Sequence, residues 1–173
     1  MIITAGKFKG INIKAPDEKI TRPTLSKVRM SVFNTLQSMI DFENKSFLDM
    51  FSGSGIMGME AYSRGFSNVV MIEKNKKVIP VIKSNLKNLK STEEIKVLNG
   101  DSLKLVPAFY GKFDVIYIDP PYFSGIYEKS LEAVKSISEG IVILEHVTDV
   151  DFCGYELVKQ KKYGDKFISF LTL

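Results

Sequence analysis

The chain is poor in the residues that anchor most hydrolytic and metal-dependent chemistry. Its 173 residues hold one histidine, His146, and one cysteine, Cys153. One cysteine excludes an internal disulfide. One of each argues strongly against a His/Cys zinc site and against Ser-His-Asp or Cys-His catalysis, so no metal is expected. A lone cysteine also fits a reducing compartment, and a cytoplasmic location is expected. There is no tryptophan, no apolar run of membrane-spanning length, no low-complexity tract and no internal repeat. The segment Met1-Ile2-Ile3-Thr4-Ala5-Gly6-Lys7 lacks the layout of a signal peptide. No Gly-Lys-Ser/Thr occurs, which disfavours a P-loop ATPase.

The remainder has ordinary globular usage, 45% hydrophobic and 25% charged, in a chain long enough for one domain with a proper core. The net charge of +4 is unevenly placed. Residues 1–46 hold eight Lys/Arg against four Asp/Glu, whereas residues 47–173 hold sixteen of each. A local basic excess is the footprint of a polyanion binder, although a solvated lysine surface gives the same count.

Along the chain, residues 1–14 read as a hairpin and 15–23 as a loop. Residues 24–40 read as a helix, with Lys27 and Arg29 off its apolar stripe and facing outward. From residue 46 strands and helices alternate: strand 47–51, helix 56–64, strand 68–73, helix 75–89, strand 95–99, a short helix after Asp101, strand 113–118, helix 127–138, strand 141–145. Two apolar-alternating runs, 155–160 and 166–173, end the chain as an antiparallel hairpin. The expected fold is therefore α/β. Its sheet is mainly parallel with helices on both faces, and its ligand site lies at the carboxyl ends of the strands.

Two stretches carry chemistry. Asp49-Met50-Phe51-Ser52-Gly53-Ser54-Gly55-Ile56-Met57-Gly58 contains G-x-G-x-x-G after a short apolar run. Such a loop lets a ligand approach the backbone and points helix N-terminal amides at it, but the pattern alone is weak. Glu73, twenty residues beyond Gly53 at the end of the next strand, is placed to accept from ribose hydroxyls. Asp49 discriminates among nucleoside cofactors. A carboxylate at the head of the loop would repel a dinucleotide's pyrophosphate. S-adenosylmethionine has no phosphate and carries an α-ammonium and a sulfonium, which suit that carboxylate. The second stretch, Asp119-Pro120-Pro121-Tyr122, ends strand 113–118. Two prolines stiffen the corner and remove two donors, leaving carbonyls free to accept. The carboxylate accepts as well, and the tyrosine offers a face for stacking on a flat ring. Each feature has a plain structural reading as a turn or cap. Four acids, Asp49, Glu73, Asp101 and Asp119, on the ends of four strands form a constellation that capping does not explain.

This set resembles the class I S-adenosylmethionine-dependent methyltransferases. Asp119-Pro120-Pro121-Tyr122 resembles the [D/N/S]-P-P-[Y/F/W] motif of enzymes that methylate amino nitrogens on planar groups. Gly10-Ile11-Asn12-Ile13, Thr21-Arg22-Pro23-Thr24, Val28-Arg29 and Phe33-Asn34 are similar to the N-terminal pattern of the RsmD family, bacterial 16S rRNA guanine-N2 methyltransferases. The family usually has Asp, Arg and Glu where this chain has Ser26, Lys27 and Met30.

The resemblance implies a Rossmann-like fold with a seven-stranded, mostly parallel sheet and an antiparallel C-terminal strand. It divides the chain into an RNA-binding extension at 1–45 and a cofactor-binding domain at 46–173. It implies that Asp49, Phe51, Gly53, Gly55, Glu73, Asp101, Ser102 and Leu103 hold S-adenosylmethionine. Asp119, Pro120, Pro121 and Tyr122 would hold the target base. Lys7, Lys9, Lys14, Arg22, Lys27 and Arg29 are the candidates for phosphate contacts. The expected partner is 16S rRNA, free or in a small-subunit particle, and a monomer is the expected state. A DNA adenine-N6 or protein glutamine methyltransferase, or a non-catalytic RNA-binding protein, remain the competing readings.

Overall fold

The structure, a computed structural model, describes residues 1–16, 26–89, 94–121 and 125–173. The elements are α1 (Ser26–Gln37), β1 (Ser46–Asp49), α2 (Ile56–Ser63), β2 (Asn68–Glu73), α3 (Ile79–Asn88), β3 (Ile95–Asn99), α4 (Ser102–Leu105), β4 (Phe113–Ile118), α5 (Ile126–Val134), β5 (Ser138–His146), β6 (Glu156–Tyr163) and β7 (Lys166–Thr172). Short 3-10 turns follow α4 and α5. The strands form one seven-stranded sheet in the order β3-β2-β1-β4-β5-β7-β6. β1 to β5 pair in parallel, and β7 runs antiparallel to both β5 and β6. The chain winds outward from β1 through β2 to β3, then returns to lay β4 on the other side of β1. The switch in strand order therefore falls between β1 and β4, where Asp49 sits opposite Tyr117. A crevice opens there because the connections leave in opposite directions.

Strand alternation sorts the core into two layers. Phe47, Val69, Met71, Val115, Tyr117, Ile143 and Ile168 face one side, packed with residues of α1, α2, α3 and the N-terminal segment. Leu48, Val70, Ile72, Ile116, Ile118, Val142 and Leu144 face the other, packed with α5. Every residue of α2 is buried. Gly58 permits this, because a Cβ there would meet Met71 Sδ at 2.5 Å.

The N-terminal hairpin is slighter than the pattern predicts. It consists of one antiparallel bridge, Ile2 to Asn12, with Ile3 N–H donating to Ile11 O at 3.0 Å. Side chains hold it instead: Ile3 and Ile13 are fully buried in the same layer as Phe47. Glu60 of α2, also fully buried, accepts from Thr4 N–H (2.9 Å), Ala5 N–H (3.2 Å), Arg29 Nε (3.2 Å) and Arg64 Nε (2.9 Å).

This corrects the expectation that Arg29 faces outward. Arg29 is 0% exposed and also donates to the carbonyl of Ile2 at 2.6 Å. The apolar stripe of α1 places it at an edge, but the N-terminal segment covers that edge. Removing one member of such a buried pair costs about 3–5 kcal/mol. Several element boundaries move as well. The third helix starts at Ile79, with Pro80 in its first turn, not at residue 75. β5 starts at Ser138 and not at residue 141, and α5 ends at Val134 and not at 138.

Candidate active site

A cavity of about 1180 Å³ opens at the carboxyl ends of β1, β2, β3 and β4. Asp49, Glu73, Asp101 and Asp119 all line it, so four acids scattered over seventy positions of sequence meet on one rim. Their surroundings differ. Asp49 ends β1 and is 1% exposed. It accepts from Gly58 N–H at 3.3 Å, and among the described residues no cation forms a salt bridge with it. Burial pushes its carboxyl up to about 8 against the pull of the Gly58 amide, with Asp119 and Glu73 adding repulsion.

Glu73, half-buried at the end of β2, accepts from Gly53 N–H (2.8 Å) and Asn75 N–H (2.6 Å), one on each oxygen. A carboxylate has roughly four acceptor positions, so both oxygens retain capacity for hydroxyl donors. Asp101 caps α4 by accepting from Leu103 N–H at 3.2 Å, and pairs with Lys74 Nζ at 2.8 Å. The Lys74 hydrogen bond holds its carboxyl below the usual range. Cap and rim position coincide in this residue.

The other expected cofactor residues divide. Phe51, Gly53, Ser102 and Leu103 line the cavity. The Ser102 hydroxyl is committed to the carbonyl of Met50, and the Leu103 amide to Asp101. Gly53 has φ 50°, which turns its amide onto Glu73. Gly55 does not line the cavity: a Cβ there would meet Met59 Cε at 3.1 Å and Ile82 at 3.3 Å. That side of Gly55 packs the loop onto α2 and α3, between Ser54 and Ile56, which do line the cavity.

Asp119 follows β4, half-buried, with Pro120 buried and Pro121 exposed behind it. Burial first, then Glu145, pushes its carboxyl up to about 7, while Lys166 opposes. Tyr122 lies outside the described residues, as does Arg22. Lys7, Lys9, Lys14 and Lys27 are exposed. Lys7 is engaged by Tyr62, whose hydroxyl it reaches at 2.8 Å, and Lys27 lines the cavity mouth.

Sequence reasoning missed part of the wall. Tyr117, Lys129, Tyr163 and Lys166 line the cavity, and Glu145 lies directly behind it. One signal was available, since Glu145 directly follows the apolar run 141–144 and is a charged residue on a strand that the reading places inside the sheet. The neighbouring His146 is a strand-end residue on the opposite face, bonded to Thr148 O (2.7 Å) and Ser169 Oγ (2.9 Å).

Strand order, glycine loop and acidic rim together define a Rossmann-like class I methyltransferase fold. Among solved structures, Escherichia coli yhhF matches with a TM-score of 0.86 over 99% of this chain and 96% of that one, at 24% identity. The chain belongs to the RsmD family: the family model described as "Conserved hypothetical protein 95" matches residues 1–172. It is similar to the "Ribosomal RNA small subunit methyltransferase D" of Haemophilus influenzae, 35% identical over 132 residues that cover 75% of this chain and 67% of that protein. The protein of the same name from Buchnera aphidicola subsp. Acyrthosiphon pisum is 31% identical over 135 residues, covering 78% and 69%.

Proposed function

We propose that this chain methylates the exocyclic N2 amine of a guanine in 16S rRNA, using S-adenosylmethionine. The observation that carries the reading is the placement of Asp119. It is a desolvated carboxyl on a proline-stiffened corner, on the wall of the same cavity as Asp49 and next to the strand switch. The names of the two relatives support rRNA as the substrate class.

The residues fit the cofactor. Asp49 is a buried acid with no ion-pair partner among the described residues, as a site for an α-ammonium requires, and Glu73 keeps acceptor capacity for ribose hydroxyls. Asp101 and Leu103 border the space for the adenine. When bound, S-adenosylmethionine supplies a methyl group already activated on a sulfonium. The chain supplies position and charge. Asp119 and the Pro120 carbonyl accept the two N–H bonds of the amine, drawing its lone pair out of the ring. Orientation of this kind is worth about 7–11 kcal/mol in favourable cases. Asp119 also opposes the positive charge that develops on nitrogen. A base inside a helix must leave its stack, at about a few kcal/mol, and a stacking face at Tyr122 offsets part of that cost.

RNA is captured by the exposed Lys7, Lys9, Lys14 and Lys27. Replacing these four with glutamine weakens rRNA binding and flattens its salt dependence, while calorimetry finds cofactor affinity unchanged. An equal loss of cofactor affinity would mean misfolding instead. No described helix is long and apolar enough to cross a membrane, and we place the protein in the cytoplasm. The deciding experiment incubates it with labelled cofactor and 16S rRNA, small subunits, DNA or protein, and digests the products. N2-methylguanosine from rRNA is the expected product. N6-methyladenine in DNA, methylglutamine in protein, or no transfer at all overturns the proposal.

A further inference from the structure

Behind the cavity wall lies a buried polar cluster with no part in the chemistry above. Glu145, on β5, is 0% exposed among apolar neighbours. It accepts a hydrogen bond from the Tyr117 hydroxyl on one oxygen and pairs with Lys166 Nζ at 2.9 Å on the other. Tyr117 and Lys166 both reach the cavity, while Glu145 joins them from behind. Burying a carboxylate and an ammonium is costly, and a well-packed apolar pair is often as stable, so stability alone does not account for the arrangement.

We propose that Glu145 is a positioning residue: it fixes the Lys166 ammonium in the wall beside Asp119, and the two together set the charge that Asp119 presents to the incoming amine. The inference rests on Asp119 receiving that amine. Strand alternation makes the geometry. Tyr117, Glu145 and Lys166 lie on adjacent strands β4, β5 and β7 and meet on one face of the sheet, the face from which Asp119 enters the cavity. Among the described residues, the charged and titratable groups around Asp119 include Asp49 from β1, Tyr117 from β4, Tyr127 and Lys129 from α5, Glu145 from β5 and Lys166 from β7. Lys166 is the cation coupled to Asp119, and Glu145 pairs with it. Glu145 opposes ionisation of Asp119, and Lys166 favours it. A group that accepts an N–H and opposes a developing ammonium must be ionised, so the balance between Glu145 and Lys166 sets the pH above which Asp119 is competent.

The test reads Asp119 itself, by carboxyl carbon-13 resonances of the free full-length protein across pH. Glu145→Gln is expected to move the Asp119 midpoint down by about one pH unit and Lys166→Gln to move it up by about as much, since a neighbouring charge shifts a carboxyl by this order. Lys166→Arg, which keeps the charge, leaves it near the wild-type position. The acid limb of kcat/KM on rRNA follows the midpoints, with cofactor affinity unchanged. If Glu145→Gln does not fold, the Lys166 pair of variants carries the test. Midpoints that stay put or move together overturn the proposal, as does an acid limb that ignores them. Failure of the wild-type protein to methylate any rRNA would instead overturn the guanine reading, and the midpoints would still be measured.

Discussion

Asp49 and Asp119 on one hand, and Glu73 and Asp101 on the other, are the same kind of residue at comparable strand ends, yet their carboxyl groups meet different surroundings. The first two lie in the crevice between β1 and β4, Asp49 almost fully buried and Asp119 half-buried; both are pushed up toward neutrality. The other two sit on the outer rim. Glu73 is satisfied by two backbone amides, and Asp101 by an amide and an exposed lysine. Desolvation of the carboxyl group and the supply of donors, more than the exposure of the whole residue, separate the two pairs. The first pair is suited to a cationic ligand group and a nucleophilic amine, the second to neutral hydroxyl and amino donors.

The contrast can be broken experimentally. The largest effect is expected from Asp119→Ala: turnover should fall about 10²–10³-fold, as for loss of one preorganised electrostatic group, while calorimetry still registers cofactor binding. Near-normal turnover would remove Asp119 from the chemistry. Next comes the pH dependence of cofactor affinity. Asp49 must lose its proton to meet an α-ammonium, so affinity should rise about tenfold per pH unit on approach to about 8 and then level. In Asp49→Asn the affinity is weak and that slope vanishes; a slope that survives the substitution would show that another group is titrating.

The free protein should respond in the opposite sense. Asp49 binds its proton more tightly folded than unfolded, so between the ordinary carboxyl range and about 8 the folded state loses stability as pH rises. Asp49→Asn should therefore stabilise the free protein by on the order of a few kcal/mol at pH 8, and by little near pH 4, in urea melts. The smallest effect belongs to Asp101→Ala. It removes a helix cap and a pair with an exposed lysine, worth about 1 kcal/mol together. Because the folded carboxyl is depressed, this contribution is present above the ordinary carboxyl value and lost as pH falls through the folded one. A loss as large as that from a buried charge would erase the distinction between crevice and rim.

Much of the fold was legible because its signals are local. β2, β3 and β4 begin and end where their apolar runs do, and the four strand-end acids were found by position alone. The errors share a cause. Arg29 looked outward because periodicity describes a helix in isolation, and the covering segment comes from residues 2–5. Glu145 and Lys166 went unassigned because they are twenty-one residues apart and meet only through antiparallel pairing of β5 with β7.

Residue type and short-range spacing determined that this chain would build strands ending in acids, a glycine loop and a proline-stiffened corner, since these depend on φ preferences and on periodicity within a few residues. Which acids stay dry, which amides and lysines reach them, and which basic residue is spent inside the core were decided by strand order and packing. Desolvation and charge–charge coupling act between atoms close in space, and the chain brings those atoms together only when it is folded.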